Sequence, residues 1–432
     1  MRRALLPATT LSIALAAAAG AQVRQDTVRV DSARVIESVQ VRAGYVPRVV
    51  GSASTVTVSP DSLPLGVAAA TGAELLRRLP FLYVRQNSRG ETELSVRGSE
   101  SRQAAVFFEG VPLTLTWDAR TDVSIVPMAG VQRIEYVRGL SSLLAGPNAI
   151  GGTVAMRLWE DHDPTQAPAR RARLELQGDH LGGMRGSATI GGALRHSAAS
   201  SVLFRVGGVA RDLPGLARPH GVVDPGADGR VRANTDQRGN DYFAGLRYEH
   251  AQGRYLGVAL SATDGARGVA PELHLEQPRL WRNPTVQRRL ASLTAGTGAL
   301  RSRLGVGDVE VALGSNVGRQ DISAYATRDY RDVVATERGD DRTQSLRLTF
   351  DQELGRLAVL RGAYTRADVS YDERIDRAPA ARYAQVLSSA ATEIDVRPLP
   401  MLTVTAGVAR DVAETREAGG RPPLGRTAGT GW

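Results

Sequence analysis

Along the second half of the chain, apolar and polar residues take turns. Leu256, Val258 and Leu260 alternate with Tyr255, Gly257 and Ala259; Leu346, Leu348 and Phe350 with Ser345, Arg347 and Thr349; Leu402, Val404 and Val408 with Thr403, Thr405 and Ala409. A period of two belongs to a β-strand whose faces meet unlike surroundings. The pattern predicts eleven strands, near 171–180, 184–193, 199–209, 240–251, 254–263, 287–300, 306–317, 342–352, 357–369, 384–396 and 401–410. After the first hairpin, short linkers (194–198, 252–253, 301–305, 353–356, 397–400) alternate with longer ones (210–239, 264–286, 318–341, 370–383). Alternation alone fits a soluble sheet with one buried face or a membrane barrel with apolar residues toward lipid. The parity of the linkers favours the transmembrane β-barrel, because a soluble sandwich has little reason to keep it.

Residues 54–158 read differently, as a small α+β domain. TVTVSPDSL (55–63) alternates and ends in a turn. Thr71 is placed to cap a short helix, TGAELLRRLP, which gathers Leu75, Leu76 and Leu79 on one face before Pro80 stops it. ELSVRG (93–98), AAVFFEGVP (104–112) and VQRIEYVRG (131–139) are short apolar strands, each closed by a charge and glycine. The stretch RIEYVRGLSSLLAGPNAIGGTV (133–154) invites a phosphate loop, yet it holds neither a Gly-Lys-Ser/Thr nor a G-x-G-x-x-G opening a helix.

The first residues, MRRALLPATTLSIALAAAAGAQ, combine two arginines, an apolar run from Leu11 to Ala19 and a small-x-small site at Ala19-Gly20-Ala21. They predict a signal peptide over 1–21, so the protein is expected to be exported. The chain has no cysteine, hence no disulfide framework and no thiol chemistry. Its formal charge is +9 and every basic residue is arginine, spread along the chain rather than clustered. That distribution gives no footprint for nucleic acid and hints weakly at anionic surroundings. The histidines show no metal-ligand spacing, and no carboxylate pair or nucleophile motif suggests an enzyme, so neither a cofactor nor a metal is expected.

Four segments of the α+β domain, AELLRRLPFLYV (73–84), ELSVRGSESRQAAVFFEGVPL (93–113), VSIVPMAGVQRIEYVRG (123–139) and LLAGPNAIGGTVAM (143–156), resemble in order and spacing the plug of TonB-dependent outer-membrane receptors. Glu109, Gln132, Leu140 and Ala145 depart from the family pattern, where Asp, Glu, Pro and an aromatic are usual. The resemblance implies a plug domain over 53–160 followed by the first part of an antiparallel transmembrane β-barrel over 161–412. It gives structural work to the turn residues Gly98, Gly110, Pro112, Gly139, Gly146, Gly151 and Gly152. It also implies that Arg97 and Arg138 pair with glutamates on the barrel wall as a latch, the competing reading being that they only solvate the plug.

From the same resemblance follow energised uptake of a scarce nutrient, such as an iron-siderophore complex or cobalamin, an outer-membrane location, and TonB, outer-membrane lipid and a small-molecule ligand as partners. The periplasmic segment 22–52 holds two candidate TonB boxes; Glu37, Ser38, Val39, Gln40, Val41 and Arg42 stand at the family's usual place, and DTVRV (26–30) is the other. Arg218, His220, Tyr325 and Tyr330 in the long loops are candidates for the ligand, or for anionic lipid headgroups. Eleven strands amount to about half of the family's barrel, and 413–432 forms an atypical tail rich in Arg, Gly, Pro and Thr. The expectation is a truncated receptor, by frameshift or broken gene, with a non-functional fragment or a passive outer-membrane barrel as the alternatives.

Overall fold

The computed structural model describes residues 55–60, 71–114, 116–126, 128–138, 143–147, 149–159, 169–227, 229–399 and 401–431. The expected signal peptide and both candidate TonB boxes lie outside them.

The α+β domain is built from β1 (Thr55–Val58), α1 (Gly72–Arg77), β2 (Leu82–Gln86), β3 (Thr92–Val96), β4 (Ala104–Phe108), β5 (Val111–Pro112), β6 (Arg133–Arg138) and β7 (Gly152–Arg157). Five of its strands form a sheet in the order β1-β6-β7-β4-β5, while β2 and β3 make a separate hairpin. Helix α1 starts where the sequence predicts. The Thr71 hydroxyl accepts from the Glu74 N–H and the Glu74 carboxylate accepts from the Thr71 N–H, so two of the first turn's orphan donors are satisfied at once.

Glu109 and Gly110 join β4 to β5 with φ of 47° and 76°, the paired positive angles of a tight two-residue hairpin. Strands β3 and β4 are buried along their whole length, and Leu75, Leu76, Val106, Phe108, Ile134, Tyr136, Val154 and Met156 close the core. Gly152, at φ 143°, has no room for a side chain, because a Cβ there would lie 2.3 Å from the Val137 carbonyl oxygen.

The second half forms a 13-stranded antiparallel sheet of β8 (Arg171–Gly178), β9 (Met184–His196), β10 (Ser200–Leu213), β11 (Gln237–His250), β12 (Tyr255–Gly268), β13 (Trp281–Gly296), β14 (Leu300–Arg301), β15 (Val306–Tyr325), β16 (Val333–Leu354), β17 (Ala358–Ile375), β18 (Ala381–Leu399), β19 (Leu402–Ala418) and β20 (Gly425–Gly431). Each strand pairs with its chain neighbour, apart from the two-residue β14, which pairs only with β15. All eleven expected strands are present, and most reach further toward the longer linkers than alternation suggests. Charge takes over from alternation there. Arg338 and Asp321 stand opposite each other on β16 and β15 and join at 3.0 Å, and Arg289 on β13 holds Asp264 of β12 at 2.7 Å. The linker read as 318–341 shrinks to 326–332. The tail read as atypical carries β19 on to Ala418, and Gly425–Gly431 pairs with it.

Which face of this sheet is buried decides its solvent. On β12, Leu256, Val258 and Leu260 are 51%, 40% and 50% exposed, whereas Ala259, Ser261 and Thr263 are 2%, 7% and 3% exposed. The same inversion holds on β13, with Leu293 outside and Ser292 and Thr294 inside, and on β15, with Val309, Leu313 and Val317 outside and Asn316 inside. In water each outward leucine would forgo roughly 2 kcal/mol of burial. In hydrocarbon the outward apolar row is the favoured state, so the sheet is a membrane wall.

Replacing Gly152 by Ala is expected to destabilise the plug by roughly 2 kcal/mol or more, from positive φ and the clash with Val137. Urea unfolding followed by tryptophan fluorescence measures it, and an unchanged midpoint would contradict this account of the β6–β7 junction.

Candidate functional site

The α+β domain does not stand beside the wall; the two share one core. Leu203, Val209, Phe243, Ala259 and Leu290, all facing inward from β10 to β13, are continuous with the plug core through Leu158 and Trp159. Gly245 on β11 lets Trp159 approach, since a Cβ there would sit 2.9 Å from its ring.

Around that contact the interface is polar. At the ends of the strands nearest the longer linkers, Arg185 on β9 grips Glu74 with both guanidinium nitrogens, one at 2.7 Å. Arg267 on β12 holds Asp122 at 2.8 Å and donates to the Ser124 hydroxyl at 3.0 Å. Arg89, in the turn between β2 and β3, pairs with Glu337 on β16, and its carbonyl accepts from Asn283 of β13 at 3.2 Å. Burial works against the ionised form of Asp122, yet Arg267 and Ser124 more than offset it and hold the carboxyl below its ordinary range.

At the strand ends nearest the short turns a second cluster gathers. Arg157, the last residue of β7, lies 3.9 Å from Glu310 of β15. The Glu109 carboxylate accepts from the Leu158 N–H, and burial pushes its pKa up against the pull of Arg157 and that hydrogen bond. Arg247 stacks over the Tyr255 ring at 3.9 Å and bonds Glu249 at 2.6 Å. A little along the wall, Glu393 of β18 accepts from the Leu143 N–H, and Arg347 of β16 donates to the Leu144 carbonyl at 2.7 Å while lying 4.9 Å from the Phe107 ring.

The residues singled out from the sequence fall in several places. Arg97 is exposed at φ 53°, its guanidinium 6.0 Å from the Phe81 ring, and no wall carboxylate contacts it among the described residues. Arg138 ends β6, and its side chain is outside the described set, as is Gly139. Gly98, Gly110 and Gly146 take positive φ, Pro112 ends β5, and a Cβ on Gly151 would meet the Ser99 hydroxyl at 2.2 Å. Tyr325 ends β15 and packs edge-on against Tyr330, ring centroids 5.4 Å apart. Arg282 lies 5.9 Å from the Tyr330 ring and is held by Asp236 and Asn234, so this tyrosine pair joins loops to one another. Arg218 and His220 are exposed in the linker 214–236.

Sequence reading missed the working pairs Glu74–Arg185, Asp122–Arg267, Arg89–Glu337 and Arg157–Glu310. Their one visible trace is a charge at an inward position of an alternating strand, such as Glu310 between Val309 and Val311.

The α+β domain is thus held by ion pairs against the lipid-excluded face of an outward-apolar membrane sheet. Residues 48–153 match the TonB-dependent Receptor Plug Domain. An 89-residue stretch, 20% of this chain and 15% of its relative, is 39% identical to the vitamin B12 transporter BtuB of Photobacterium profundum. The fold resembles the copper transporter OprC with a TM-score of 0.66 at 13% identity, covering 87% of this chain and 59% of that one. It resembles the FrpB iron transporter of Neisseria meningitidis with a TM-score of 0.62 at 14% identity, covering 88% and 60%. The chain is thus similar, through residues 48–153, to the plug domain of TonB-dependent receptors. It spans about 60% of the length of these solved structures and 15% of the curated relative.

Two outcomes are expected. Glu310→Gln should speed amide exchange in β7 about tenfold, a loss at the low end of that for a partly buried charged pair; exchange at the wild-type rate would remove Arg157–Glu310 from the latch. The lowered pKa of Asp122 adds stability that is fully present above its unfolded-state value and is lost as pH falls through the lowered one. Protease protection of segment 116–126 should therefore fall on acidification below about pH 4, and Asp122→Asn should flatten that acid limb. An identical profile in the variant would mean that another group sets it.

Proposed function

We propose that this chain serves TonB-dependent, energised uptake of a scarce small molecule across the outer membrane, with the plug gating the wall. The observation that carries the reading is the pairing of the two surfaces: leucines and valines outward to lipid, and an ion-paired inner face occupied by the plug domain. A passive pore needs no such domain. Ion pairs suit a gate because water can replace each of them as the plug shifts, whereas an apolar seal would resist.

Energy reaches such a plug from outside the membrane. Glu37, Ser38, Val39, Gln40, Val41 and Arg42 form our preferred segment for strand addition to TonB, a mode that depends on backbone N–H and C=O groups more than on side-chain identity. The domain limits that accompany this reading are a leader over 1–21, a TonB-reaching segment over 22–52, a plug over 53–160 and wall thereafter. Within the described residues β8 and β20 each have a single neighbour, so transport requires that further strands pair these edges. The alternative, a chain that inserts but transports nothing alone, rests on those same open edges.

Proline removes a backbone donor, so Val39→Pro should abolish capture of the chain by the immobilised carboxyl-terminal domain of TonB while leaving the β-sheet circular-dichroism spectrum unchanged. Capture at wild-type strength would exclude this segment as the TonB box; if Val28→Pro abolished it instead, the segment DTVRV would take the role.

A further inference from the structure

Beside the plug, facing β18 to β20, lies a cleft of about 550 Å³, within the ~300–1,000 Å³ range of small-molecule sites. Trp117 and Asp118 line it from the plug, and Gln385, Ser388 and Asp411 from the wall. The Trp117 ring lies 4.9 Å from that of Tyr383, which in turn lies 6.2 Å from Tyr371, so an aromatic row runs from plug to wall at the cleft's edge. Gln385 donates to the Trp117 carbonyl at 3.5 Å and ties the row to β18.

The electrostatics of this cleft select against an anion. Asp411 brings a carboxylate to it, whereas Asp118, 3.9 Å from Arg120, and Arg102, engaged with the Asp118 carbonyl at 3.0 Å and with Glu100 at 3.5 Å, are already partnered. One oxygen of Asp411, Oδ1, is buried without a hydrogen-bond partner among the described residues. A buried acceptor left unmade is costly, and a donor brought by a ligand removes that cost. An aromatic ring takes up a flat apolar face, while Asp411, Gln385 and Ser388 take up hydroxyl groups.

We propose that the cleft binds a neutral, hydroxyl-rich ligand with an apolar face, the chemistry of a short oligosaccharide, with Trp117 as the stacking platform and Asp411 as the hydroxyl acceptor. The inference rests on the uptake reading above and deepens it by naming the substrate class. It sets a neutral ligand in place of the iron-siderophore complex or cobalamin that the resemblance led one to expect.

The test is binding by the purified full chain in detergent, with no TonB present. Intrinsic fluorescence and calorimetry follow titration with a panel of neutral malto-, cello- and xylo-oligosaccharides and, separately, with ferric citrate. The expected result is saturable binding of at least one neutral sugar and none of ferric citrate. Asp411→Asn should weaken sugar binding about tenfold, and Trp117→Ala should abolish both the binding and its fluorescence change. Tighter binding of ferric citrate, binding of no sugar, or sugar binding unchanged in both variants would each overturn the proposal. Should Trp117→Ala fail to fold, Asp411→Asn decides alone. A negative result here leaves capture by TonB untouched, and a failed capture leaves sugar binding untouched, so the two readings fall separately.

Discussion

Hydrocarbon offers no hydrogen bonds, and the rest of this structure follows from that. Every N–H and C=O that crosses the bilayer must find a partner in the protein, and a chain without a long apolar helix among its described residues meets the demand with neighbouring strands. Antiparallel pairing of consecutive strands satisfies the backbone with the shortest connections. It also frees alternate side chains to serve two solvents, leucine and valine for lipid and serine, threonine and charge for the interior. The plug packs on the inner face of this wall and shares its core.

The interface between plug and wall divides its work. Apolar contact, of Leu158 with Phe243 and of Trp159 with Gly245 among others, fixes where the plug sits, while ion pairs spread over β9, β12, β15 and β16 fix how it is turned. Directional, water-replaceable bonds can be exchanged one at a time. Arg185 forks onto the Glu74 carboxylate, and Arg267 divides its fork between Asp122 and the Ser124 hydroxyl, which keeps the orientation strict for as long as the contacts last.

Much of this was legible in the sequence. The capped helix at Thr71, the alternation at 255–260 and the parity of linker lengths are local or periodic signals, and the elements they predict are all present. The ion pairs were illegible for a plain reason, since Glu74 and Arg185 stand 111 residues apart and nothing in either neighbourhood marks the other. Strand ends were misjudged because the pattern rule follows hydrophobicity, and beyond the lipid belt the ladder is held by Arg–Asp pairs such as Arg338–Asp321 and Arg289–Asp264. The arginines scattered along the chain thus have a structural use that composition alone could not assign. Glu109, one methylene longer than the residue usual in the family, reaches the N–H of Leu158 and lies close enough to Arg157 to feel its charge.

Glu74 does two jobs with one carboxylate. It closes the amino end of α1 through the Thr71 N–H and anchors the helix to β9 through Arg185. Mechanically, these are two bonds in series at a single atom group. A tug that drags Glu74 out of its helical position to keep hold of Arg185 unwinds the first turn, whereas a tug that keeps the turn intact must let the arginine go. The plug's first helix therefore has two ways to give under load, losing its first turn or losing its hold on β9, and one carboxylate sets the choice between them.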